Sequence, residues 1–273
     1  MRLSFATSFS KRKNQVRGER RVACGSNTLP VRLLAAVLAL STQLAVAAEI
    51  RVAVASNFQP AMLALNQQFE SGSDHRLTLI FGATGKHYAQ IVNGAPFDVF
   101  LAADAERPQR LERESLAVAG SRVTYALGKL VLWSPRSGYV DAQGRVLEQS
   151  DFRHLAIANP RLAPYGLAAR QVLQALGLWQ RLSERLVQGE NIGQAYQFVE
   201  SGNAELGFLA WAQVQGPNVP VTGSFWLVPQ QLYQPIEQQA VLLRDTEAGQ
   251  ALLRFLRSPR ALKIIADHGY AVP

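Results

Sequence analysis

Residues 50–69 read IRVAVASNFQPAMLALNQQF and contain a strand, a polar turn and a helix in direct succession. This stretch begins with a short apolar run, residues 50–55, that is rich in β-branched residues and predicts a buried strand. Pro60 stands where a helix can start, and Met62, Leu65 and Phe69 recur at the spacing of one helical face. A buried strand that leads through a short turn into a helix is typical of a parallel sheet with crossover helices.

The same alternation continues along the chain. It predicts strands at residues 50–55, 77–81, 99–102, 123–126, 130–133, 155–158, 206–209, 225–228 and 239–243. It predicts helices at residues 61–69, 86–92, 106–114, 167–176, 192–200, 247–256 and 259–268. We therefore expect an α/β protein made of two units.

The order of these elements predicts two lobes, each a mixed, mostly parallel sheet flanked by helices. The first lobe is expected to comprise residues 49–127 and 230–273, and the second residues 128–229. The chain would cross between the lobes near residues 127–129 and again near residues 228–238, which forms a hinge of two crossings.

Residues 1–48 are predicted to be a signal peptide. Of the chain's 28 Lys/Arg and 20 Asp/Glu, eight basic residues and one acidic residue fall in this segment, which leaves 20 basic and 19 acidic residues in the other 225. An apolar run at residues 33–40 continues weakly to small residues around Ala48, where we expect cleavage. An uncleaved membrane anchor is the alternative. Because the remaining chain is nearly neutral, its composition gives little support for nucleic-acid binding.

Several chemistries lack the residues that they need. The only cysteine, Cys24, lies in the predicted leader, so the exported chain would have no thiol for a disulfide, a metal or a nucleophile. No hydrolase elbow of the form Gly-x-Ser-x-Gly is present. Asp98 and Asp104 could form a catalytic pair, but caps and turns are the more usual role of such residues. The histidines stand far apart, without the spacing of a zinc site: His75, His87, His154 and His268.

Four joints between a predicted strand and a following helix are candidate ligand sites, because ligands of open α/β sheets bind beyond the carboxyl ends of strands. The candidate donors are the side chains of Ser56 and Asn57, Thr84 and Tyr165, and the backbone N–H of Ile192. Helix capping, a close-packed turn or simple packing are the alternatives for each joint. The four joints are residues 55–60, 81–86, 159–166 and 190–193.

Six motifs taken together resemble one family, the periplasmic molybdate-binding proteins of ABC transporters. They are VAVASN (52–57), FGATGK (81–86), GAPFDVFLAAD (94–104), LVLWSP (130–135), NPRLAPYG (159–166) and ENIG (190–193). The resemblance extends over residues 49–273. It implies a type II periplasmic binding protein fold, capture of molybdate or tungstate between two lobes, and delivery to an ABC transporter permease in the inner membrane. It implies no enzyme activity, no cofactor, no nucleic-acid partner and a monomer.

The resemblance also implies which residues hold the anion. The family's ligand positions fall on the hydroxyls of Ser56, Thr84 and Tyr165, on Asn57, and on the backbone N–H of Ile192. Some members add a further tyrosine where this chain has Ala210.

The physical chemistry of the anion agrees with such a donor set. A fully deprotonated dianion only accepts hydrogen bonds, so hydroxyls and N–H groups at helix N-termini suit it. Sulfate, phosphate or a small carboxylate on the same fold remain alternatives, and a hydrolase is a weaker one. Lys86 either approaches the anion or points to solvent.

Overall fold

The computed structural model describes residues 49–149, 151–217 and 220–273. The predicted leader and Cys24 lie outside these residues. The described residues form two five-stranded sheets. The first sheet contains β1 (Glu49–Ala55), β2 (Arg76–Gly82), β3 (Val99–Leu101), β4 (Val123–Gly128) and β10 (Ile236–Leu242). The second contains β5 (Leu130–Ser134), β6 (Leu155–Ala158), β7 (Leu186–Gly189), β8 (Leu206–Ala210) and β9 (Ser224–Leu227).

Ten α-helices of the described residues flank the sheets. They are α1 (Gln59–Ser71), α2 (Thr84–Val92), α3 (Glu106–Arg113), α4 (Val146–Gln149), α5 (Pro164–Ala175), α6 (Trp179–Leu182), α7 (Ile192–Glu200), α8 (Trp211–Val214), α9 (Glu247–Leu256) and α10 (Pro259–Asp267). In the part of the chain that the structure describes, no helix combines the length and the apolar character needed to cross a membrane.

The two sheets have the same plan. The strand order is β2-β1-β3-β10-β4 in the first and β7-β6-β8-β5-β9 in the second. In each sheet the first three strands in this order are parallel and the last two are antiparallel to their neighbours. The mixed α/β architecture predicted from the sequence is confirmed. The sequence analysis did not predict strand β7, whose four residues end in glycine.

The central strands of the first sheet, β1, β3 and β10, are buried on both faces over most of their length, which explains their apolar runs. Val52 and Val54 of β1 face one hydrophobic cluster, and Ala53 between them faces another. A separate cluster covers the second sheet. Two alanines from the first sheet's strand ends, Ala55 and Ala103, belong to the cluster of the second sheet. The two sheets therefore meet at the carboxyl ends of the strands, where the candidate joints begin.

The chain passes between the sheets at two adjacent places. Lys129 alone separates β4 from β5, and residues 228–235 separate β9 from β10. Ile236 pairs with Gly128 in the sheet register, which places the two crossings side by side. A hydrogen bond of 3.1 Å from the backbone N–H of Leu130 to the hydroxyl of Tyr233 joins them.

Candidate functional site

The four candidate joints contact one another in a ring. At one side, the backbone N–H of Gly193 donates to Oγ of Ser56 at 3.4 Å, which connects the start of α7 to the turn after β1. At the other side, the backbone N–H of Gly85 donates to the carbonyl oxygen of Leu162 at 2.8 Å, which connects α2 to the loop before α5. Both contacts join an element of the first sheet to an element of the second.

Two further contacts complete the ring. Nζ of Lys86 lies 2.5 Å from Oε1 of Glu190, so the starts of α2 and α7 are joined by an ion pair. Nδ2 of Asn57 donates to Oε1 of Gln238 at 2.8 Å, and Nε2 of Gln238 donates to the hydroxyl of Tyr165 at 3.4 Å. The joints that are far apart in sequence therefore lie together between the sheets.

Ser56 begins a 3-10 turn, Ser56–Phe58, between β1 and α1. The sequence left a capping role open for this joint, but neither Ser56 nor Asn57 caps the turn or the helix that follows. The Ser56 oxygen instead accepts from the N–H of Gly193. The Ser56 oxygen thus acts as an acceptor for the start of α7, and its hydroxyl proton remains available to donate.

Thr84 is the first residue of α2 and is 1% exposed. Its Oγ1 accepts a hydrogen bond of 3.1 Å from the backbone N–H of Ala103, just after β3. The hydroxyl is therefore held between the ends of β2 and β3, the strands on either side of β1, with its oxygen as the acceptor.

Tyr165 lies in the first turn of α5, not in the preceding loop where the sequence analysis placed it. The helix starts at Pro164, since proline suits the first turn, where its missing N–H has no intrahelical partner. The Tyr165 side chain is 1% exposed, and burial raises the pKa of its hydroxyl well above the ordinary value, so the hydroxyl stays protonated. Gly128 allows this placement, because a Cβ there would lie 2.2 Å from the Tyr165 oxygen.

The three hydroxyls share one hydrogen-bonding pattern. In Ser56, Thr84 and Tyr165 the oxygen accepts from an N–H group, which leaves the hydroxyl proton to be donated elsewhere. Among the described residues, none of these three protons has an acceptor within hydrogen-bond distance. Each of these three hydroxyls can therefore still donate one hydrogen bond.

The start of α7 adds a backbone donor. Asn191 caps this helix, as its side-chain oxygen accepts from the N–H of Gln194 at 3.1 Å. The N–H of Ile192 belongs to the first turn and has no intrahelical partner. Among residues 49–149, 151–217 and 220–273 no other acceptor faces it.

Asn57 is held differently from the other candidate residues. It is 1% exposed, and its two amide protons go to Oε1 of Gln238 at 2.8 Å and to the hydroxyl of Tyr270 at 3.1 Å. The Asn57 side chain has no proton left for an anion while these bonds hold. Any hydrogen bond from Asn57 to an anion would then have to come from its backbone N–H.

The two candidate carboxylates have structural partners. Asp98 accepts from the backbone N–H of Arg51 at 2.7 Å and pairs with Arg244 at 2.6 Å. Asp104 forms an ion pair with Arg107; burial raises the pKa of its carboxyl, and Arg107 opposes that shift. Within the described ranges, no group of three His, Cys, Asp or Glu residues is placed to hold a metal ion.

Sequence reasoning missed Gln238 and Gly128. Gln238 is fully buried next to the second crossing, and the only sequence signal is a pair of glutamines at the start of an apolar strand. Gly128 lies at the first crossing, where its closeness to Tyr165 depends on the tertiary structure.

Comparison with known proteins gives the family. Residues 50–271 match the family described as bacterial extracellular solute-binding protein. The molybdate-binding protein ModA of Azotobacter vinelandii is 52% identical over 247 residues, which cover 89% of this chain and 97% of the relative. The chain belongs to the ModA family of bacterial extracellular solute-binding proteins.

Other ModA-family proteins agree with this placement. ModA of Rhodobacter capsulatus is 48% identical over 240 residues, covering 87% of this chain and 93% of the relative. The structure of the periplasmic molybdate-binding protein of Azotobacter vinelandii superimposes with a TM-score of 0.80 at 43% identity, over 82% of this chain and 99% of that chain. The type II binding-protein fold is thereby confirmed, and membership of a solute-binding family agrees with the expectation that the chain is not an enzyme.

Ala210 is the residue where the resemblance places the further tyrosine of some family members. Ala210 ends β8, is fully buried, and its N–H donates to Oε1 of Gln213 at 3.0 Å. It brings no hydroxyl to the site, so Tyr165 is the one tyrosine among the candidate donors.

Proposed function

We propose that this chain is a periplasmic binding protein that captures molybdate between its two sheets. The observation that carries the proposal is the shared pattern of Ser56, Thr84 and Tyr165, whose oxygens accept from the protein and whose protons are free. Such a site matches a ligand that accepts hydrogen bonds and carries no proton of its own. The names of the ModA relatives support molybdate as that ligand.

The proposed contacts follow from the donor set. The hydroxyls of Ser56, Thr84 and Tyr165 donate to the oxyanion, together with the backbone N–H groups of Ile192 and Asn57. Helix N-termini carry partial positive charge, so a dianion is stabilised without a full counter-charge. Tungstate has the same charge and shape and is expected to bind as well. The bound group is the cargo, and the proposal includes no cofactor.

Competing anions differ in protons or in size. Phosphate carries a proton at neutral pH and needs an acceptor, but the nearby carboxylate of Glu190 is paired with Lys86. Sulfate is also an unprotonated dianion and differs from molybdate mainly in size. The radius of the closed cavity would therefore select against sulfate. The sulfate-binding protein SubI of Mycobacterium tuberculosis shares the fold alone, with a TM-score of 0.67 at 14% identity.

In the proposed cycle, the lobes comprise residues 49–127 plus 230–273 and residues 128–229. They rotate about the two crossings, and the ligand favours the closed form. The closed, loaded monomer then delivers its anion to an ABC transporter permease in the inner membrane. Residues 1–48 act as the cleaved export signal. Nucleic acid has no part in the function.

Thermal unfolding with added anions tests the proposal. Ligand at 100 times its Kd adds about 2.7 kcal/mol, and each kcal/mol shifts the Tm of a chain of this size by about 2–4 °C. Molybdate and tungstate should each raise the Tm by several degrees, whereas sulfate and phosphate should not. A Tm shift with sulfate or phosphate alone would show that one of these anions, and not molybdate, is the ligand. No Tm shift with any of the four anions would contradict the proposed site. Mass spectrometry of the exported protein checks cleavage near Ala48.

A further inference from the structure

Gln238 is buried at the centre of a group of hydrogen-bonding side chains that joins the two sheets. It is fully buried on β10, opposite Ala126 of β4, and the register shifts between Gln238 and Gln239. The extra residue of this bulge is Tyr125 of β4, and a bulge changes the direction in which such a side chain points. The Gln238 amide contacts Asn57 and Tyr125 from the first sheet and Tyr165 from α5.

The hydrogen bonds around Gln238 determine which way its amide faces. Tyr270 donates its single proton to the backbone oxygen of Asn57 at 2.8 Å. The Tyr270 oxygen can then only accept from the Asn57 side chain, 3.1 Å away, so the nitrogen Nδ2 must face it. The same Nδ2 donates its second proton across 2.8 Å to Gln238. The group of Gln238 on that side is therefore its oxygen.

With its oxygen toward Asn57, Gln238 presents Nε2 to Tyr165, 3.4 Å from the hydroxyl. An amide nitrogen has protons to give and no lone pair to accept with. The Tyr165 oxygen is therefore the acceptor, and its proton points away from Gln238. Tyr165 is 1% exposed, and no described residue accepts that proton.

We propose that Gln238 is a positioning residue for ligand binding. By donating to the Tyr165 oxygen, it prevents the tyrosine from donating to the protein and keeps the hydroxyl proton available for an oxygen of the bound anion. This inference rests on the proposed function, in which Tyr165 contacts molybdate. Gln238 itself does not contact the ligand.

A double-mutant cycle tests the inference. The Kd for molybdate is measured by titration calorimetry for the unmodified protein, Gln238→Met, Tyr165→Phe and the double variant. Each single variant should weaken binding about tenfold or more, as expected for a hydrogen bond to a charged group. In the Tyr165→Phe background, Gln238→Met should weaken binding less than about twofold, because the proton that Gln238 directs is gone. Gln174→Met, an exposed site on α5, is the matched control.

The outcomes separate this inference from the proposed function. Equal losses from Gln238→Met in both backgrounds would show a general structural role and overturn the inference. Unchanged binding by Tyr165→Phe would also overturn it, while molybdate binding itself would stand. Failure of the unmodified protein to bind molybdate would overturn the proposed function, and the inference with it.

A second variant covers the case in which Gln238→Met unfolds the protein by leaving one buried amide proton of Asn57 without its acceptor. Gly128→Ala keeps every polar group but places a Cβ 2.2 Å from the Tyr165 oxygen and 3.1 Å from Nε2 of Gln238. It should weaken molybdate binding about tenfold in the unmodified background and clearly less beside Tyr165→Phe. Equal losses in both backgrounds would overturn the inference.

Discussion

Lys86 and Glu190 form an ion pair, with 2.5 Å between Nζ and Oε1, although they follow strands of different sheets. Lys86 lies in the first turn of α2, and Glu190 directly precedes Asn191, the cap of α7. Their side chains are 53% and 38% exposed, so the pair lies at the solvent side of the site. The sequence analysis allowed Lys86 either the anion or solvent, and the structure gives it a partner on the opposite sheet.

Removing the lysine should weaken molybdate binding modestly and in a salt-dependent way. Lys86→Gln leaves Glu190 unpaired near a dianion, and exposed ion pairs contribute little, so we expect a twofold to fivefold higher Kd at low ionic strength. The effect should shrink in about 0.5 M salt because exposed charges are screened. Lys263→Gln, which breaks an exposed pair with Asp267 on α10, is the control. An effect of equal size at both salt concentrations would argue against an electrostatic role.

Loss of the Thr84 hydroxyl should weaken molybdate binding strongly. Thr84→Val keeps the shape but removes the donor, and it leaves the N–H of Ala103 without its acceptor. We expect a loss of about tenfold or more in affinity, together with about 1–3 kcal/mol of unfolding free energy. Thr84→Ser keeps the hydroxyl and should stay within about threefold of the unmodified Kd.

The control for Thr84 is Thr78→Ala, which removes a hydroxyl bound to Glu49 near the start of β2. Calorimetric titration gives the Kd, and urea unfolding gives the stability. If Thr84→Val lowered stability but left the Kd unchanged, Thr84 would be a purely structural residue.

A methyl group at position 85 should hinder closure. A Cβ on Gly85 would lie 3.0 Å from the carbonyl oxygen and 3.1 Å from Cα of Leu162, which are backbone atoms that cannot move aside easily. Gly85→Ala should therefore raise the Kd about tenfold, as forcing a methyl into a tight contact costs about 1–3 kcal/mol. Gly72→Ala meets its nearest neighbour, the Gln68 oxygen, at an ordinary 3.5 Å and should bind normally.

Small-angle scattering adds a direct readout for Gly85→Ala. With molybdate present at a few times the original Kd, the variant should keep a larger radius of gyration than the unmodified protein. A variant that binds and compacts normally would show that α2 and the Leu162 loop need not touch.

His87 should make stability depend on pH. Its Nε2 donates to the carbonyl oxygen of Val54 at 3.2 Å; burial lowers the pKa of the imidazole, and the hydrogen bonds with Gln90 and Val54 oppose that shift. The folded protein therefore holds His87 neutral. Because the folded pKa is below the unfolded value of about 6.5, its contribution is present above that pH and is lost as the pH falls. For one proton the slope is at most about 1.4 kcal/mol per pH unit.

Urea unfolding between pH 5 and pH 8 measures this slope. His87→Gln should flatten it, whereas His154→Gln, at an exposed position, should leave it unchanged. A profile that is equally steep without His87 would assign the dependence to other groups.

Periodicity predicted most of the fold because burial on the sheets sets the apolar pattern. The strand at residues 155–158 and the helices at residues 192–200 and 247–256 match the structure residue for residue. Strand β7 was missed because only two apolar residues, Leu186 and Val187, begin it, and both are partly exposed. The strand then ends in Gln188 and Gly189, which are not typical of a buried strand. Helix α5 was predicted three residues late, because proline can end a loop or begin a helix.

The sequence predicted which joints carry the candidate donors, but it did not predict the contacts between those joints. Strand-to-helix joints pointed to Ser56 and Thr84, since polar residues after buried strands are easily recognised. No local pattern shows that Ser56 contacts Gly193 or that Gln238 separates Asn57 from Tyr165. Those contacts depend on how the two sheets pack, which residue spacing does not encode.

The alanines that join the two cores have a thermodynamic consequence. Ala55 and Ala103 enter the cluster of the second sheet, and Ala212 enters that of the first. Each of these three residues brings only a methyl group to the core of the other sheet. Separating such surfaces wets little hydrocarbon, so the heat-capacity change of anion capture should be small. The free energy of domain opening would then vary little with temperature. The temperature dependence of anion binding would instead follow the hydration free energy of the anion.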